Sequence, residues 1–179
     1  QYRALQGQLS ADPVAQLALQ TLLFSGRLTG KKALEGGETA LAGLARLSTQ
    51  SLAEGLDRKQ LLGDLVQELA CPEAINQRGR GTCAATTVAV YLANANPAEY
   101  VRLVAGLADP AGSVRTASGK KATREAGTEV EDGTNRSISQ RLMAPAFMEI
   151  ANGRFDYDNK DDKHYSGSKE KGSGLSAGQ

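Results

Sequence analysis

Residues 76–92 read Asn76-Gln77-Arg78-Gly79-Arg80-Gly81-Thr82-Cys83-Ala84-Ala85-Thr86-Thr87-Val88-Ala89-Val90-Tyr91-Leu92. A basic, glycine-broken approach leads onto a cysteine, and the cysteine opens an apolar run. The β-branched residues of that run suit a strand. Its length, its alanines and the Asn94-Ala95-Asn96-Pro97 stop instead predict a buried helix of about three turns. A thiol at a helix N-terminus meets the positive end of the aligned peptide dipoles, worth up to about 1 kcal/mol in favour of the anion. The thiolate is the nucleophilic form of cysteine. Gln77 lies six residues before Cys83, and its amide is a donor suited to a developing oxyanion, as is the backbone N–H of Cys83. Arg78 and Arg80 are expected to add positive potential beside the thiol.

Outward from this stretch the pattern is helical. Asp12 caps a helix begun by Pro13, with Val14, Leu17, Ala18, Leu22 and Leu23 as its apolar set and Gly26 as its end. Residues 1–12 show no clear period. A second helix is predicted over about 38–50 from Leu41, Leu44, Ala45 and Leu47. A third, capped by Asp57, carries the stripe Leu61, Leu62, Leu65, Val66 and Leu69 and stops at Pro72. Beyond the Cys83 helix, Pro97 starts another with Tyr100, Val101, Val104 and Leu107 on one face. Residues 113–124 alternate around Ser118-Gly119-Lys120 and predict a β-hairpin. Residues 125–137 read as loop. Ile138, Leu142, Phe147, Met148 and Ile150 restore a helical period over 137–152, with Pro145 as a kink or late start.

The expected organisation is a helical domain over 1–152 with a hairpin near 113–124, followed by a polar, flexible tail over 153–179. Apolar residues make up 40% of the 179 and aromatics only 4%, without tryptophan. A core of Leu, Val, Ile and Ala follows, which suits packed helices. The net charge is +1 with acids and bases interspersed, so neither nucleic acid nor an anionic membrane is expected as a partner. The first residue is Gln1 rather than Met, so the expectation is a soluble product that has been processed, secretion included.

The Gln77–Leu92 segment resembles the catalytic entry of papain-like cysteine peptidases, in which a glutamine precedes the nucleophilic cysteine by the same spacing and the cysteine begins the central helix. The likeness covers about residues 75–95. No second cysteine stands two positions before Cys83, and Ala84 replaces the usual aromatic, so the segment is more similar to divergent bacterial members. The resemblance implies Cys83 as nucleophile, Gln77 as oxyanion-hole donor and a histidine as base. It also implies a mainly α protein with a small hairpin (α+β), the helical lobe of a papain-like fold, complete or incomplete. The function it implies is that of a thiol protease or related hydrolase acting on a peptide or protein.

The single histidine, His164, lies 81 residues after Cys83, behind a charge run and before Tyr165-Ser166-Gly167-Ser168, a poor strand. Two alternatives therefore stand: His164 is the base, or the base comes from sequence outside this chain or from a second chain that completes the site. Against the enzyme stands another class, a helical protein-interaction module or non-catalytic fragment whose cysteines are structural. Cys71 and Cys83 are also close enough in sequence to pair as a disulfide. The acidic run Asp156–Asp162 is read as a solvated turn rather than a calcium loop, lacking the loop glycine and distal glutamate of an EF-hand. No zinc set or phosphate loop is present, and no cofactor or metal is expected.

Overall fold

The computed structural model describes residues 1–152 and 155–172. Among these residues the seven α-helices are, in chain order, α1 (Tyr2–Gln8), α2 (Pro13–Phe24), α3 (Ala40–Leu47), α4 (Arg58–Ala70), α5 (Cys83–Ala95), α6 (Pro97–Ala108) and α7 (Ile138–Asn152). Between α6 and α7 lies the hairpin β1 (Ser113–Arg115) and β2 (Lys121–Thr123). After α7 come β3 (Asp156–Asp158), β4 (Lys163–Ser166) and β5 (Lys169–Gly172). The class is α+β: a helical body with two small antiparallel sheets, one of two strands and one ordered β3-β4-β5.

Local chemistry explains where the helices start. Asp12 Oδ1 accepts from the Ala15 amide at 2.9 Å, and Asp57 Oδ1 accepts from the Gln60 amide at 2.7 Å. Thr39 and Asn96 do the same for α3 and α6. Each satisfies an amide that the first helical turn leaves without an intrahelical partner. The predicted stripe of α4 is wholly buried, and at roughly 1.5–3 kcal/mol for each large apolar side chain it is a main source of core stability. On α6, Tyr100, Val101, Val104 and Leu107 are all buried as the period requires. The predicted hairpin pairs Ser113 with Thr123 and Arg115 with Lys121, and buries Ala122.

Other expectations are corrected. Residues 2–8 form a short helix, because Leu5 and Leu9, one turn apart, both enter the core with Tyr2 packed beside them. On α2 the buried set is Ala15, Ala18, Leu19 and Leu22. Val14, Leu17 and Leu23 face out, and Phe24 is 87% exposed. That helix is apolar on more than one face, so periodicity alone could not choose the inner one. Helix α5 forms as predicted but is buried on one side only, through Ala85, Thr86, Ala89 and Ala93. Val88 is exposed and Tyr91 is 68% exposed, so α5 is a flank here rather than a central buried rod. Helix α7 runs through Pro145. Within 153–179, read from sequence as a flexible tail, residues 156–172 contain the three-stranded sheet; 153–154 and 173–179 lie outside the described residues.

Candidate active site

The loop from Asn76 to Thr82 is shaped by its own polar groups. Asn76 Oδ1 accepts from the Arg78 amide at 2.7 Å, and Arg78 takes a positive φ of 56°. Gln77 is half-buried, and its Nε2 donates to the Arg80 carbonyl at 2.8 Å. An amide nitrogen carries two hydrogens, so this bond fixes the side chain and leaves one donor to offer. Arg80 does not stand as a loose charge beside the thiol. Its Nη1 donates to the carbonyls of Asn159 (2.6 Å) and Lys160 (3.1 Å), and its Nη2 pairs with Asp132 at 3.1 Å. The sequence expectation of added potential from Arg80 is corrected accordingly: it is a bridge between two loops.

Cys83 is the first residue of α5 and is an exposed free thiol; Cys71 is likewise free, so the two do not form a disulfide. The N-cap residue Thr82 is fully buried and makes no side-chain capping bond. The first-turn amides of α5 therefore keep their anion-attracting character.

His164 is not in a solvated loop. It is 3% exposed, on β4, opposite Tyr157 in the β3–β4 register. The Tyr157 and His164 rings lie with centroids 5.2 Å apart and tilted by 53°. Tyr157 shares a small buried apolar cluster with Ala85 of α5 and with Ala144 and Met148 of α7. That cluster links the first turn of the cysteine helix to the ring beside the histidine. Asn152, the last residue of α7, hydrogen-bonds through its side-chain amide to His164 Nδ1, and both are buried. Turning that amide over exchanges donor for acceptor without moving the ring, so one contact can serve neutral imidazole or imidazolium.

The hairpin turn between β3 and β4 is fastened to the loop before Cys83. Asp162 Oδ2 accepts from the Gly81 amide at 2.7 Å, and its Oδ1 accepts from the Tyr157 hydroxyl at 2.7 Å. Burial, reinforced by the Asp162 carboxylate, holds the Tyr157 phenol well above its usual range, so it stays a donor. Glu149 of α7 accepts from the Tyr157 amide, and burial raises its carboxyl. Glu125 accepts from the Asn159 amide at 2.7 Å, and burial pushes its carboxyl up to about 7. Against the cost of its own burial, hydrogen bonds from Thr134 and Arg136 hold Asp132 well below the carboxylate range. Two other aspartates of the acidic run bond nearby: Asp158 Oδ1 accepts from the Lys160 and Asp161 amides, and Asp161 Oδ2 from the Tyr165 hydroxyl. Among the described residues no three His, Cys, Asp or Glu side chains gather as a metal site.

An apolar groove of about 620 Å³ starts at the first turn of α5. Ala84, Val88 and Leu92 form one wall, and Phe147, Ile150 and Ala151 of α7 form the other.

Of the residues singled out from sequence, Gln77 and Cys83 sit on one loop–helix junction, and the hairpin carrying His164 is fastened to that junction. Asn152, Tyr157 and Asp162 were missed. The signal for Asn152 was its place at the end of the last helix, twelve residues before the only histidine; nothing local marks the other two.

Fold and site together define an α+β protein with a cysteine at a helix N-terminus and a buried pair between a histidine on the three-stranded sheet and an asparagine at the end of the last helix. No protein-family model, curated protein or solved structure matches the chain. Among the described residues no helix is long and apolar enough to cross a membrane.

Proposed function

We propose that this chain is a cysteine-dependent hydrolase of the papain-like type, acting on an amide of a peptide or protein. One observation carries the reading: Asp162 and Tyr157 fasten the hairpin bearing His164 to the junction bearing Cys83. On this reading the Cys83 thiolate attacks the carbonyl carbon, forming a C–S bond while the carbonyl electrons move to oxygen. The Cys83 amide and the remaining N–H of Gln77 hold that oxyanion. His164, aimed by Asn152, gives its proton to the leaving amine as the C–N bond breaks, then takes one from the water that cleaves the thioester. The groove beside Cys83 receives the substrate residues next to the scissile amide. Cys83→Ala should abolish hydrolysis in a peptide-library cleavage assay while leaving the thermal unfolding midpoint within about 2 °C. Cleavage at the parent rate by that variant sinks the proposal.

A second reading, a helical interaction module with structural cysteines, draws on the bare apolar face of α2 formed by Val14, Leu17 and Phe24. It expects no rapid alkylation of Cys83 under mildly acidic conditions, where an ordinary thiol is protonated.

A further inference from the structure

Two segments far apart in sequence meet at one side chain. Asp162 closes the β3–β4 turn with a positive φ of 55°, two residues before His164. One of its carboxylate oxygens takes the backbone N–H of Gly81, two residues before Cys83, and the other takes the Tyr157 phenol. Tyr157 in turn stacks obliquely on His164 and shares a buried apolar cluster with Ala85. The carboxylate therefore joins the nucleophile's loop, the base's hairpin and the ring between them. Arg80 reinforces the join from the same loop through the Asn159 and Lys160 carbonyls. Arg136 backs the turn by donating to the Asn159 side chain at 3.0 Å.

We infer that Asp162 is a positioning residue for the thiol–imidazole couple, setting how His164 is presented to Cys83; the inference rests on the hydrolase reading above. It acts by geometry and not by its charge. Asparagine is nearly isosteric and can keep both ties: its Oδ1 accepts from the Gly81 amide, and its Nδ2 donates to the Tyr157 oxygen. Alanine keeps neither. A purely electrostatic role would make asparagine as damaging as alanine.

The test is the pH profile of Cys83 alkylation by iodoacetamide, from about pH 4.5 to 9, in a Cys71→Ser background that removes the other exposed thiol. A thiol coupled to imidazole is alkylated on an acid limb well below the ordinary thiol pKa of about 8.5. Asp162→Ala should lower the rate near pH 5.5 by at least about tenfold, the equivalent of one pKa unit. Asp162→Asn should retain most of the parent limb. A parent-like profile in Asp162→Ala, or a loss in Asp162→Asn as large as in the alanine variant, overturns the inference. If circular dichroism shows Asp162→Ala unfolded, Tyr157→Phe decides: it deletes one tie and keeps the ring, and an unchanged profile overturns the inference. His164→Ala separates the two levels. If it abolishes the acid limb while Asp162→Ala does not, only the positioning role falls. If it leaves the parent profile intact, the hydrolase reading falls and this inference with it.

Discussion

Glu68, on α4 and bonded to side chains of α6 and α7, is only 7% exposed, and raising the pH should destabilise the protein through it. Its Oε2 accepts from the Tyr100 hydroxyl at 2.8 Å and Ser139 at 2.5 Å, and its Oε1 accepts from Ser137 at 2.5 Å. Burial pushes its carboxyl up from 4.5 to about 7, and these hydroxyls only partly offset the desolvation. A folded-state pKa above the unfolded one means that the native state binds more protons between those two values. Stability from this group is therefore complete below pH 4.5 and is lost as pH rises through about 7. A shift of that size corresponds to about 3 kcal/mol at full ionisation, of which about 2–3 kcal/mol falls between pH 5 and pH 8. Urea unfolding followed by circular dichroism at several pH values measures it, with Glu68→Gln as the comparison. Asp64, raised to about 6 mainly by burial, has the same sign but acts chiefly below pH 6. Glu125 titrates in both proteins, so the parent-minus-variant difference isolates Glu68. That difference should change by about 2–3 kcal/mol across the range. A difference constant with pH, or a parent that gains stability from pH 6 to 8, refutes the reasoning.

On the proposed hydrolase reading, Asn152→Ala should reduce kcat/KM by at least about tenfold by removing the side chain that orients His164, and Asn152→Asp should lose less because it keeps a hydrogen-bonding partner for Nδ1; peptide cleavage kinetics check this. A Cβ added at Gly106 would lie 2.6 Å from the Val114 Cβ where the hairpin crosses α6. Gly106→Ala should therefore cost about 1–3 kcal/mol in urea unfolding, with only part of that regained in the Gly106→Ala/Val114→Ala double variant, because alanine at 114 removes the Cγ methyls and keeps the Cβ.

Helix starts were readable because each is a local event. Asp12, Asp57 and Asn96 reach amides only three residues ahead, and the stripe of α4 has a single apolar face. The position of Cys83 at the head of a helix followed from the glycine-broken approach and the Asn96-Pro97 stop. Which side of α2 turns inward was not readable, since Val14 and Leu17 are as apolar as Ala18 and Leu19. The half-bare state of α5 was hidden for the same reason: an apolar sequence reports a wish for burial, and only the available neighbours decide which part is granted it.

The His164 region shows the limit most sharply. Its strands are three or four residues long and rich in charge, so alternation gives no signal. Their stability comes instead from polar partners far along the chain: Gly81 for Asp162, Glu125 for Asn159, Glu149 for the Tyr157 amide. Sequence by itself determined the helical body, the hairpin and a thiol at a helix N-terminus, because caps, turns and periods act within a few residues. Only the tertiary structure decided that the one histidine is buried, paired with Asn152 and carried on a hairpin fastened to the loop before that thiol, because the bonds that place it join residues up to 81 positions apart.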